Sequence, residues 1–292
     1  LLANGDRPDA ARLAALATSA AHRALELDDD TADARLALLL LKPNYQRWAE
    51  VEAGCEDLLA RHPEHSITLF QLGYIRTQTG RWLDSLPPMQ ALSEREPMWP
   101  MVQFRLFEAL SGLDRVEEAD ARIAEAMRLA PRNILFWLAR LQYLLLSDRR
   151  QEAEGLLDDL VAQPKVDPRI IEHERLVLRA YGGSSRQRRD ATDRLLAEPV
   201  SVDSEMSFHT AVSASLLREL DTAFQLLDGY YFGRGRWASL RNPWPQTNQL
   251  FSPAMAPARQ DRRFAALLEE TRLAAFWRET GTRPDFRRPM PG

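Results

Sequence analysis

Pro63, Pro97, Pro131 and Pro199 fall at multiples of 34 residues, and this spacing constrains the fold more than any other feature of the chain. The missing beat is held by Lys165, beside Pro164, and one step backwards lands on Asp29. Asp29 closes Ala24-Leu25-Glu26-Leu27-Asp28-Asp29, a phrase parallel to Ala126-Met127-Arg128-Leu129-Ala130-Pro131. A unit of this length cannot bury an apolar face by itself, so successive copies must stack on one another.

Each window carries large and small residues where two helices need them. One set is Leu69, Leu72, Gly73, Gly80, Trp82, Ser85, Met89, Leu92 and Pro97. The next windows give Leu106, Val116, Ala119, Ile123, Ala126 and Pro131, then Trp137, Leu141, Leu144, Ala153, Leu157 and Leu160. Intervals of three, four and seven mark one helical face. Small residues at Gly73, Ala119 and Ala153 predict a close approach by a neighbouring helix backbone, with leucines filling the layer. Proline punctuates such pairs at low cost, because the first helical turn has no donor to lose.

Further on, Tyr181-Gly182-Gly183-Ser184-Ser185 predicts a turn between a helix near 170–180 and another near 186–196. A last hairpin is expected over 204–217 and 220–231. Regularity stops after Tyr231. Gly, Pro, Asn and Ser reach loop density over 233–257, and two short helices near 261–270 and 272–279 are expected to follow. The aromatics Tyr230, Tyr231, Phe232, Trp237, Trp244 and Phe251 cluster here, where a linker would be polar, and must bury against something. Folding back over the last hairpin or into the groove, to cap the solenoid, is the first expectation; a gate that competes with a partner is the sharper one.

On these residues the chain resembles the tetratricopeptide repeat family, whose signature is a large residue, Leu-Gly, an aromatic, then Ala, Phe, Ala and Pro over one repeat. The likeness spans roughly residues 10 to 232, is best over 66–97 and 100–131, moderate over 32–63 and 134–165, and degenerate beyond 168. It implies an all-α fold: a right-handed α-solenoid of antiparallel helix hairpins, about six to seven of them, with a loop-rich C-terminal cap. Two domains are expected, the repeats over 1–232 and the aromatic loop with its capping helices over 233–292. The stretch Ser252-Pro253-Ala254-Met255-Ala256-Pro257, with Asp261-Arg262-Arg263-Phe264 and Gly281-Thr282-Arg283-Pro284-Asp285-Phe286, resembles the tail closing the repeat region of bacterial winged-helix regulators and adenylate-cyclase-type signalling proteins. Arg262 stands where those relatives carry proline.

The family lines its concave groove with the first helix of each pair. The matching positions are Ile67, Phe70, Tyr74, Met101, Phe104, Glu108, Leu138 and Gln142, with the alternative that several are core between repeats. Aromatics and methionine suit a protein or peptide partner, because large rigid or adaptable side chains supply most of an interface's energy. Relatives that clamp a terminal carboxylate do so with lysine, asparagine and arginine; here Phe70, Tyr74 and Phe104 stand there, with Arg105 as the nearby cation, which disfavours that activity. The expected function is a non-catalytic binding module, the sensory or regulatory part of a larger bacterial signalling or transcriptional regulator. The alternative is an accessory scaffold for a catalytic domain, a cyclase or transferase, outside this chain. The chain opens on Leu1 without methionine, which leads us to expect a piece of a longer protein.

Composition removes other classes. A formal charge of −4 lacks the basic excess of non-specific nucleic-acid binding, and all but Lys42 and Lys165 of the 38 basic residues are arginines, a skew of coding rather than of phosphate contact. The basic run Arg186-Gln187-Arg188-Arg189 reads as a solvated helix start. No catalytic, cofactor or metal residues are expected. Nucleotide-loop and nucleophile-elbow motifs are absent, and His22, His62, His65, His173 and His209 lack spacings such as His-Glu-x-x-His. Cys55 takes a packing position. No stretch approaches the roughly 18 apolar residues of a membrane span. A cytoplasmic location is expected, or a periplasmic one if a preceding segment spans a membrane; the oligomeric state stays open.

Overall fold

A computed structural model describes residues 10–161, 163–197 and 204–287, and every regular element among them is helical. The described residues form two compact units. The first holds α1 (Ala10–Leu27), α2 (Ala32–Leu40), α3 (Trp48–Arg61), α4 (Ser66–Gln78), α5 (Trp82–Arg95) and, from the far end of the chain, Pro243–Asn248 and α16 (Leu273–Thr280). The second holds α6 (Pro100–Gly112), α7 (Val116–Leu129), α8 (Ile134–Leu146), α9 (Arg150–Asp158), α10 (Pro168–Ala180), α11 (Ser185–Ala197), α12 (Ser204–Leu216), α13 (Leu220–Phe232), α14 (Ala256–Arg259) and α15 (Arg262–Glu270). The segment after 232 is thus shared between the units and does not stand apart as its own compact body.

The 34-residue period is realised in the backbone. First helices begin at Ala32, Ser66, Pro100, Ile134 and Pro168, second helices at Trp48, Trp82, Val116 and Arg150, each series in steps of 34. Gln46, Gly80, Asp114, Asp148 and Gly182, again 34 apart, all take left-handed φ between +55° and +76°. Three of them, Gly80, Asp114 and Asp148, close a Schellman turn, in which the next amide reaches back to the helix: Arg81 N to Arg76 O, Arg115 N to Leu110 O and Arg149 N to Leu144 O, each at 2.9 Å. The ruler prolines Pro63, Pro97 and Pro131 lie in the other turn, two residues past the helix end and ahead of the next helix. Pro63 and Pro131 sit inside turns closed by His65 N to His62 O and Asn133 N to Ala130 O. Pro100 and Pro168 take the first helical turn instead. Pro199 lies outside the described residues. The period slips there, and α12 begins 36 residues after α10.

In the first unit the apolar layer is Trp48, Val51, Cys55, Leu69, Leu72, Ile75, Met89 and Leu92, all buried. A fully buried side chain of this size contributes about 1.5–3 kcal/mol. Gly73 is small because of a side chain rather than a neighbouring backbone: a Cβ there would lie 2.6 Å from Met89 Cε. α5 carries Pro87 and Pro88 in its interior. Pro88 cannot donate to the Asp84 carbonyl, and Arg76 Nη1 donates to it at 3.0 Å instead.

The returning C-terminal segment completes the α4–α5 turn. Thr247 Oγ1 donates to Gln78 O at 2.5 Å, Trp277 Nε1 to Thr79 O at 3.0 Å, and Asp285 N to Gly80 O at 2.9 Å, while Leu83 N donates to Asp285 Oδ2 at 2.8 Å. Helix ends leave such groups without partners inside the helix, and here the tail supplies them.

In the second unit α6 packs on α7, α8 on α9 and α12 on α13, with Phe104, Leu106, Ile123, Phe136, Trp137 and Leu141 at most 1% exposed. The helices expected over 204–217 and 220–231 are present as α12 and α13, and the two expected short helices as α15 and α16. The stretch expected to be loop carries short 3-10 turns at Gly235–Leu240, Asn248–Phe251 and Pro253–Met255, and α14. Tyr230 of α13 stacks on Phe208 of α12 at 4.6 Å, and Tyr231 meets the same ring edge-on at 5.9 Å, so these two aromatics pack α13 on α12.

Candidate functional site

The expected partner-binding residues fall into different environments. On α4, Ile67, Phe70 and Tyr74 follow one another at three and four residues and so share a face. Ile67 is 47% exposed, Phe70 and Tyr74 are half-buried, and their rings stack with centroids 6.3 Å apart. In the second unit Met101 and Glu108 are half-buried, and Glu108 pairs with Arg105. Phe104 is core: 1% exposed, it stacks on Phe136 at 4.7 Å. Leu138 is also buried. At these two positions the reading as core between repeats holds, because neither side chain offers surface.

Gln142 reaches a cluster that spacing did not anticipate. α10 contributes His173 and Glu174, and α12 contributes His209. All three are buried, and one ligand atom from each lies within 4.8 Å of the others. His209 Nε2 lies 2.7 Å from Glu174 Oε1, and His173 Nε2 lies 3.7 Å from the same oxygen. Gln142 Nε2 meets His209 Nδ1 at 3.4 Å, and Ser213 Oγ meets His173 Nε2 at 3.3 Å. Glu174 Oε2 and His173 Nδ1 are buried with no hydrogen-bonding partner among the described residues.

Burial pushes the His173 imidazolium down to about 4, with Glu174 opposing and His209 adding to the effect, so the ring is neutral at physiological pH. For Glu174 burial acts upward, but the charge and hydrogen bond of His209 and the charge of His173 outweigh it, and the carboxyl lies below the usual glutamate value. Two imidazole nitrogens and a carboxylate are the donor types that hold zinc-class ions. The sequence signal was register: His173 and His209 are the sixth residues of α10 and α12, equivalent positions in successive first helices. Searching within one helix could not find it.

The first unit buries a different polar cluster. Glu52 accepts from Arg76 Nε at 2.9 Å through one oxygen and from Arg81 through the other, and Arg81 lies over the Phe276 ring at 5.5 Å. Cys55 is fully buried; burial, then the charges of Glu52 and Glu56, push its thiol up to about 12.

Among the described residues no helix is long and apolar enough to cross a membrane. No model of a known protein family matches the chain, and no curated protein matches it.

Proposed function

We propose that the chain is a non-catalytic protein- or peptide-binding module of the tetratricopeptide kind, its helix pairs antiparallel and winding right-handed. In this reading it is the sensory or regulatory part of a larger bacterial signalling or transcriptional regulator. The carrying observation is the α4 face, where an exposed isoleucine adjoins a stacked phenylalanine and tyrosine. Aromatic rings beside exposed apolar surface are the composition of interface hot spots. The recurrence of helix starts and left-handed turn residues every 34 positions supports the family reading.

The test is capture of partners by the immobilised chain, comparing wild type with Phe70→Ala/Tyr74→Ala, both confirmed as folded by circular dichroism and melting temperature. A protein retained by the wild type and lost by the folded variant is the expected result. Equal retention by both, or retention of nothing by either, sinks the α4 face as the binding surface.

A further inference from the structure

We propose that His173, Glu174 and His209 bind one divalent transition-metal ion of the zinc class, joining α10 to α12. The donors are close to the geometry that such an ion needs. Ligands about 2.0–2.2 Å from a tetrahedral metal lie roughly 3.3 Å from one another. The separations of 2.7 Å and 3.7 Å from Glu174 Oε1 to the two Nε2 atoms straddle that value, and all three ligand atoms lie within 4.8 Å of one another.

The cluster is also unfinished as a hydrogen-bonding network. A His–Glu pair engages one carboxylate oxygen and leaves Oε2 of a glutamate that is 1% exposed without a donor among the described residues. A cation between the three groups gives this buried carboxylate a permanent counter-charge. With imidazole and carboxylate donors and no thiolate, the set suits zinc and its neighbours rather than calcium or magnesium.

Gln142 completes the arrangement from outside. Its Nε2 faces His209 Nδ1 at 3.4 Å, and in the metal-bound form a half-turn of the amide brings Oε1 to accept from Nδ1–H, the tautomer that leaves Nε2 for the metal. Ser213 stands beside His173 as a fourth polar group. His209 is 8% exposed, which leaves its edge as the route for the ion.

The experiment uses the full chain stripped with a chelator and titrated calorimetrically with zinc ions alone at neutral pH. One equivalent is expected in the wild type. Affinity falls about 100-fold in His209→Gln and in Glu174→Gln, and about tenfold in Gln142→Ala. It is unchanged in His22→Gln/His62→Gln/His65→Gln, which removes the other histidines. Loss of binding in that triple variant together with retention in Glu174→Gln overturns the site. Because a buried variant can also lose its fold, X-ray absorption at the zinc edge is recorded on the loaded wild type. Scattering from two imidazoles supports the proposal; a spectrum without imidazole, or a protein that retains no zinc through gel filtration, overturns it.

Discussion

Glu52 in the first unit and Glu174 in the second are both buried carboxylates, yet they are held in opposite ways. Both oxygens of Glu52 face guanidinium groups, which stay charged at every accessible pH. Glu174 faces imidazoles, whose charge depends on pH, and one of its oxygens has no donor among the described residues. The first arrangement fixes a helix junction permanently. The second is conditional on protons or on a ligand.

The largest test of that contrast is Glu52→Leu. It leaves Arg81, 4% exposed, with only the longer 3.8 Å pair to Asp84, and should cost about 3 kcal/mol in chemical denaturation at neutral pH. A loss below about 1 kcal/mol would show that the arginines find other partners and that the first cluster is not fixed.

Acid should act next, and on the second cluster. The folded-state value of His173 is about 4 against an ordinary 6.5, so the unfolded chain binds the proton first as pH falls. The stability is therefore complete above about 6.5 and is lost as pH falls toward 4, by about 2–3 kcal/mol. Glu174, held below its usual value, adds to the loss at the acid end of that window. Urea midpoints at pH 7 and pH 4.5 measure it. His173→Gln should flatten the dependence; a variant as acid-sensitive as the wild type would place the sensitivity elsewhere.

Packing tests whether the units differ in stiffness as well as in charge. A Cβ on Gly229 of α13 would lie 2.5 Å from the backbone oxygen of Trp237, which cannot move alone, so Gly229→Ala should cost about 2 kcal/mol. A Cβ on Gly73 meets only the flexible end of Met89, and the gain in helix propensity offsets part of the clash. Gly73→Ala should therefore stay within about 1 kcal/mol by thermal denaturation. Equal effects would erase the distinction.

The helices were legible because burial imposes its period on the sequence. Leu69, Leu72 and Met89, or Ile123 and Ala126, must face inward wherever a helix stacks on another. The left-handed turn position was legible only at Gly80 and Gly182, since Gln46, Asp114 and Asp148 adopt the same backbone without the glycine that advertises it. Arg47, Arg81, Arg115 and Arg149 repeat with the period, each paired with an acidic residue three positions on, a regularity that could have been read. The His–Glu–His cluster was hidden because it forms between helices across the slip from 34 to 36, where the proline ruler gives no register. Of the expected binding residues, Phe104 and Leu138 failed as surface for a related reason: a large apolar side chain on a first helix serves a core and a groove equally well in sequence.

The hydrogen bonds from Thr247, Trp277 and Asp285 to the carbonyls of Gln78, Thr79 and Gly80 have a consequence for the order of assembly. During synthesis α4 and α5 emerge early, but the groups that close their turn arrive roughly 170 to 200 residues later. A ribosome adding about 5–20 residues per second leaves that turn waiting on the order of ten seconds or more. The second unit is made almost entirely within this interval. Such long-range closure is slow to form, so the first unit, although first in the chain, is the last to be finished.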